Sequence, residues 1–255
     1  MIHTNGVATV SAPEDLRTEV RAPVGVALSK VYRVRAEIDT MLDELRPGDR
    51  VPAERELAGR FGVARETVRH ALRDLAVEGR IRRQGRGTVL ARPKVVRPLA
   101  PESAGEEAAG VVRRLLSWED GIADAEVARD LDLPPRTPIM TLERLLFADG
   151  DPIALERIDL SLDRFGWLRA AFDPLSSLTT TIGDSGVEYA GATERIETVL
   201  AAPREAGLLR CRPAVPLFRV VRRGIDTQGR PIERVAALYR GDRVAFEVRT
   251  GGRGR

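Results

Sequence analysis

The sequence predicts an α+β chain in two parts: a small helical head closed by a hairpin, then a larger domain built on an antiparallel sheet. Three observations predict it. The first is a change of hydrophobic rhythm, from spacings of three and four between residues 27 and 78 to paired alternating runs beyond residue 138. The second is charge. Residues 27–98 carry seventeen Lys and Arg against ten Asp and Glu, while residues 99–255 carry twenty-two against twenty-five, so the positive excess sits in one short stretch. Such asymmetry fits a polyanion-binding module attached to something else, although a solvated basic face in an Arg-rich chain is the plainer alternative. The third is the aperiodic stretch 92–109, with Pro93, Pro98 and Pro101, which reads as a linker.

The composition narrows the function. With 255 residues, 43% of them hydrophobic, the chain can bury two cores. No apolar run approaches the ~18 residues of a membrane span, the N-terminus lacks a signal-peptide h-region, and the lone cysteine, Cys211, cannot form an internal disulfide. The expectation is a cytoplasmic, nucleoid-associated protein that does not contact the membrane. His3 and His70 are the only histidines, and Lys30 and Lys94 the only lysines. A multi-His metal site, a Ser–His–Asp triad and a pyridoxal Schiff base in the second part therefore lack raw material. No catalytic residue, metal or cofactor is expected.

Residues 1–26 read as a flexible arm. Val31, Val34, Ile38, Met41, Leu42 and Leu45 then form one apolar stripe of a first helix, ended by Pro47-Gly48. Glu54 and Glu56 suit the first turn of a second helix, with Leu57, Ala58 and Phe61 inward and Gly62 as its stop. A third helix runs from Arg65 to about Glu78. Val68, Ala71, Leu72 and Leu75 make its core face, and Arg65, Glu66, Arg69, His70 and Arg73 the opposite face. Helix, short turn, helix is a helix-turn-helix, with the second helix shaped to enter a major groove. The run from Arg80 to Leu90 folds about Gly85-Arg86-Gly87 as a basic hairpin, the wing of a winged helix-turn-helix spanning 27–91.

From residue 110 to 249, strands are expected at 139–147, 153–162, 187–200, 216–225, 232–239 and 244–248, with helices at 124–131, 174–182 and 203–209. Residues 111–118 fit either a helix or an edge strand. Residues 250–255 read as a disordered tail.

The run Pro47-Gly48-Asp49-Arg50-Val51-Pro52-Ala53-Glu54-Arg55-Glu56-Leu57-Ala58, then Phe61-Gly62-Val63-Ala64-Arg65-Glu66-Thr67-Val68-Arg69-His70-Ala71-Leu72, and the Gly85-Arg86-Gly87-Thr88 wing resemble the GntR family of bacterial repressors. The family often has Ser where this chain has Ala53 and Ala64, so two helix N-caps are missing. Further on, Leu142-Glu143-Arg144, Asp149-Gly150-Asp151-Pro152-Ile153-Ala154-Leu155-Glu156 and Gly229-Arg230-Pro231-Ile232-Glu233 through Phe246-Glu247-Val248 resemble the UTRA effector domain of the HutC subfamily. That resemblance implies a chorismate-lyase-like sheet, a homodimer, and a pocket whose small-molecule effector weakens binding to a double-stranded DNA operator.

The expected DNA contacts are Arg55, Arg65, Glu66, Thr67, Arg69 and His70 on the helices, and Gln84, Gly85, Arg86 and Gly87 on the wing. Glu66 either accepts from a cytosine amine or orients a neighbouring arginine. The resemblance implies effector contacts at Arg144, Glu156, Asp159, Ser177, Glu233 and Tyr239. Arg144 would pair with an anionic group and the glutamates with hydroxyl or amine groups, although strand ion pairs and a helix cap at Ser177 are the plainer readings. Leu146 stands where sugar-phosphate-binding members have a second Arg, Asp159 where many have Tyr, and Thr179 where Tyr is common. One arginine fewer and one acid more favour a cationic or polyhydroxyl ligand over a phosphate dianion. Two rivals remain: a constitutive regulator with a vestigial pocket, and a lyase-like enzyme, against which the second part has neither His nor Lys.

Overall fold

A computed structural model describes residues 29–99 and 110–248. The expected arm, the tail and the second half of the linker lie outside the described residues.

The head comprises α1 (Lys30–Leu42), α2 (Glu54–Phe61), α3 (Arg65–Val77), β1 (Ile81–Gln84) and β2 (Gly87–Leu90). Ser29 caps α1, its hydroxyl accepting from the Tyr32 amide at 3.2 Å. Ala53 and Ala64 precede α2 and α3 without a side-chain cap, a loss of roughly 0.5–2 kcal/mol each. Glu54, Glu56 and Glu66 in those first turns offset part of it by facing the positive helix ends. Gly62 ends α2 in the left-handed conformation, φ +62°, so the chain reverses within three residues into α3. Val34, Ile38 and Leu42 from α1, Leu57 from α2, and Val68, Ala71 and Leu75 from α3 bury together with Ile81 and Leu90 of the hairpin. At about 1.5–3 kcal/mol for each large side chain, this one apolar cluster holds the head closed.

Beyond the head the chain forms β3 (Val95–Pro98), β4 (Val112–Ile122), α4 (Ala125–Asp130), β5 (Pro138–Ala148), β6 (Asp151–Ser161), α5 (Leu162–Phe165), α6 (Leu168–Ala171), α7 (Leu178–Asp184), β7 (Tyr189–Leu200), α8 (Pro203–Leu208), β8 (Pro216–Asp226), β9 (Pro231–Arg240) and β10 (Val244–Glu247). Six strands make one antiparallel sheet in the order β4-β5-β6-β9-β8-β7. Residues 112–122 are thus an edge strand, which settles the ambiguity over 111–118. Helices α5 to α7 cover one face, with Phe165, Leu168, Leu178 and Ile182 packed on Met140, Leu142, Ile158 and Leu160. On the other face Ala206 and Leu209 pack on Leu145, Leu155 and Leu217, and Val127 and Ala128 on Ile139. No described helix is long and apolar enough to cross a membrane.

The linker expectation needs correcting at its start. Residues 95–98 form a strand, paired in parallel with β10. The Val95 amide donates to the Arg243 carbonyl and the Leu99 amide to the Glu247 carbonyl, both at 2.8 Å. Two prolines obscure that strand locally, and its partner lies far along the sequence. The first segment after the head is thereby built into the second domain. Lys94 Nζ donates to the Gly241 carbonyl at 2.7 Å, and Arg92 pairs with Asp149 at 2.6 Å. Gly79, at φ +80°, brings the end of α3 onto the turn between β9 and β10. A Cβ there would fall 2.0 Å from the Asp242 carbonyl oxygen.

Candidate nucleic-acid interface and ligand cavity

On α3, Arg65, Glu66, Arg69 and His70 are exposed and Thr67 is half-buried in the first turn. Arg55 is exposed on α2, and Gln84, Gly85 and Arg86 are exposed at the wing with Gly87 half-buried. Arg55, Arg69, Arg86 and Gly87 line one cleft together with Arg73, Arg82 and Arg83, and its far wall is Arg210, Arg212, Arg240 and Arg243 of the second domain. Arg65, Glu66, Thr67 and His70 are not part of this cleft's lining. Arg55, Arg65 and Arg86 have no hydrogen bond or ion pair among the described residues, so a phosphate can bind them without first displacing a carboxylate.

Arg69 is held differently. Its Nη1 donates to Glu66 at 2.6 Å, and its Nε and Nη2 reach Glu54 at 3.3 Å. The hydrogen bond to Glu54, then the charges of Glu66 and Glu54, hold its guanidinium above its usual pKa. His70 Nε2 lies 3.4 Å from the other Glu66 oxygen. Of the two roles left open for Glu66, the geometry in this ligand-free state is the orienting one.

The ligand cavity is built by strand register. On one face of the sheet, Arg144, Glu156, Ala237 and Val220 stand in a row across β5, β6, β9 and β8. The next row is Leu142, Ile158, Val235, Arg222 and Glu194. Tyr239 stands beside the first row, and Glu233 lies two residues beyond Val235 on the same face. With Ser177, Leu178 and Thr179 at the start of α7 and Arg97 from β3, these side chains enclose a cavity of about 70 Å³. Five of the six expected effector residues, Arg144, Glu156, Ser177, Glu233 and Tyr239, are therefore brought together.

Asp159 is not among them, and that expectation is corrected. It lies an odd number of residues from Glu156, and side chains alternate faces along a strand. Its carboxylate is wholly buried on the opposite face, accepting from Thr141 Oγ1 at 2.8 Å, Arg157 Nε at 3.0 Å and Arg234 Nη1 at 3.2 Å. Arg234 also reaches Glu126 and Asp130 of α4, so this cluster fastens α4 to the sheet.

Within the cavity, Arg144 is fully occupied. Its Nε and Nη2 donate to Glu156 at 3.0 and 2.6 Å, and its Nη1 contacts the Pro174 and Ser176 carbonyls at 3.2 Å. Ser177 caps α7 by accepting from the Thr180 amide. Two residues absent from the sequence expectation complete the wall, Arg97 and Arg222. Arg97 donates to both oxygens of Glu194, at 3.0 and 2.8 Å, and its guanidinium stands 5.6 Å from the centre of the Tyr239 ring. Burial opposes the charge on Arg97, yet Tyr239 and Glu194 outweigh it and hold the group above its usual value. Burial pushes the Glu233 carboxyl up, against the opposing pull of Arg222.

Three arginines and two glutamates thus line the cavity. With Asp159 removed and Arg97 and Arg222 added, the expected preference for a cationic ligand loses its basis. Alternation along β8 was the available signal for Arg222, but Val220-Val221-Arg222-Arg223 offers one residue of each kind to either face.

Among the described residues, no group of three or more His, Cys, Asp or Glu is arranged to hold a metal ion.

Comparison with known proteins agrees with this architecture. Residues 30–90 match the family of bacterial regulatory proteins known as the gntR family, and residues 109–245 match the UTRA domain. The chain is 42% identical over 217 residues to the HTH-type transcriptional repressor PhnF of Mycolicibacterium smegmatis, covering 84% of this chain and 89% of that protein. It is 27% identical over 223 residues to the HTH-type transcriptional repressor NagR of Bacillus subtilis, covering 84% and 92%. The crystal structure of PhnF from Mycobacterium smegmatis superposes with a TM-score of 0.61 at 41% identity, covering 86% of this chain and all of that one. The chain belongs to the GntR family, as a DNA-binding transcriptional regulator of the branch that carries a UTRA domain rather than an enzyme.

Proposed function

We propose that the protein is a cytoplasmic repressor that binds an inverted-repeat operator as a homodimer and is released when a small molecule occupies the cavity between the sheet and α7. Each α3 enters a major groove through Arg65, Thr67 and Arg69, with Glu66 orienting Arg69. Arg55, His70, Gln84 and the Gly85–Gly87 wing tip contact the backbone or the adjacent minor groove. A twofold dimer matches half-sites about one helical turn apart. The naming of its relatives as repressors favours the direction of control.

The observation that carries the reading is the position of Arg97. It lies in the cavity wall, yet its strand follows the wing strand β2 after four residues. A ligand that binds better to one placement of β3 than another shifts the placement of the head by the same free energy. Neither site has to touch the other. Gel-shift titration against an operator selected from random duplexes tests this. Retarded bands at dimer stoichiometry, released by a metabolite extract, are expected. Retention that no metabolite alters would favour a constitutive regulator.

A further inference from the structure

We propose that the cavity takes a compact ligand bearing an oxyanion, a carboxylate or a phosphate-type group, and that the guanidinium of Arg222 is its receptor. This names the ligand class for the effector site and rests on that site being one.

Arg222 is more than nine-tenths buried and lines the cavity. Its Nε is buried with no hydrogen-bond partner, and no hydrogen bond from the guanidinium forms among the described residues. The nearest carboxylate oxygens, on Glu194 and Glu233, stand 4.0 and 3.9 Å away, beyond hydrogen-bond distance. Both have other claims on them. Glu194 is taken up by Arg97, and the burial of Glu233 disfavours its charged form, which weakens it as a counter-ion.

A buried guanidinium without partners is costly, and an arriving oxyanion completes it with short, charge-assisted bonds. Arg144 does not compete, since Glu156 and two carbonyls already use its donors. The volume of about 70 Å³ admits a small head group, with the remainder of a larger ligand requiring α7 or β3 to give way.

The test is thermal melting of the full chain in a chloride buffer, titrated with inorganic phosphate and, separately, with acetate, each against sodium chloride of equal ionic strength. A saturable rise in melting temperature with at least one anion is expected, and which of the two acts distinguishes a phosphate-type from a carboxylate ligand. Arg222→Gln should weaken that response at least tenfold, and Arg222→Lys should retain part of it. Arg219→Gln, on the opposite face of the same strand, should leave it unchanged. Without added anion, Arg222→Gln should melt no lower than the parent, because an unpartnered charge is removed. A marked drop there would mean that Arg222 is a structural ion-pair member and would overturn the proposal. So would a parent protein that neither anion stabilises beyond chloride, or an Arg222→Gln protein that responds within twofold of the parent. If the parent still retains the operator in these cases, only the ligand assignment fails. If it binds no operator, the wider functional reading fails instead.

Discussion

Arg86 at the wing tip gives the most quantitative consequence of the proposed DNA-bound state. It is exposed and has no partner among the described residues, so its full charge is available to a phosphate. A dimer presents two copies. Each neutralised phosphate contributes about 0.9 to the slope of log K against log salt, so Arg86→Ala should flatten that slope by about 1.8. At 0.1 M salt the same term is a loss of roughly 60-fold in affinity, applied about equally to operator and to random duplex. Arg195→Ala is the control, since it removes an equal charge from the exposed strand β7, where Arg195 pairs with Glu197 at 3.0 Å. Fluorescence anisotropy of a labelled duplex from 0.05 to 0.3 M salt reads both variants. An unchanged slope for Arg86→Ala, or an equal loss in both variants, would show that the wing does not lie against the duplex.

Other perturbations test the remaining parts. Leu75→Ala opens the wholly buried centre of the head and should cost about 2–5 kcal/mol, lowering the head's transition in scanning calorimetry while the second domain's stays in place. Asp159→Asn breaks the buried cluster with Arg234, at a cost of about 3 kcal/mol, and should lower the melting temperature without altering ligand-triggered operator release. Asp226 is held down to about 2: burial alone would raise it, but hydrogen bonds from Arg230, Arg164 and the Gln228 amide prevail. Its contribution to stability is therefore complete above the unfolded-state value near 4 and is lost as pH falls to about 2. Urea midpoints should drop across that window in the parent and less so in Asp226→Asn. Gly79→Ala places a methyl group against the Asp242 carbonyl, in a conformation costing an L-residue about 1–2 kcal/mol, and should separate head from sheet domain as a longer maximum dimension in small-angle scattering.

Much of the head was legible because its signals are local. The spacing of Val68, Ala71 and Leu75 places Arg65 and Arg69 on the far side of a helix whatever the rest of the chain does. The hairpin strands of the sheet were legible for the same reason. Legibility ended where the partner is remote. Nothing near Val95–Pro98 announces a strand whose mate is at Val244–Glu247. Arg97 was therefore invisible as a wall of the cavity. Arg222 and Arg223 are adjacent on β8, and alternation alone gives no sign of which one turns inward. Asp159 is the opposite case: its odd separation from Glu156 already contradicted the position implied by resemblance, and strand parity was the better guide.

The central claim is that the cationic face of α3 lies against duplex DNA while its apolar face holds the head together. The most direct measurement is operator affinity of Arg65→Glu/Arg69→Glu by anisotropy, with circular dichroism of the same sample. A native melt with selective binding lost by two orders of magnitude or more is the predicted result. A native melt with selective binding at parental affinity would contradict the account.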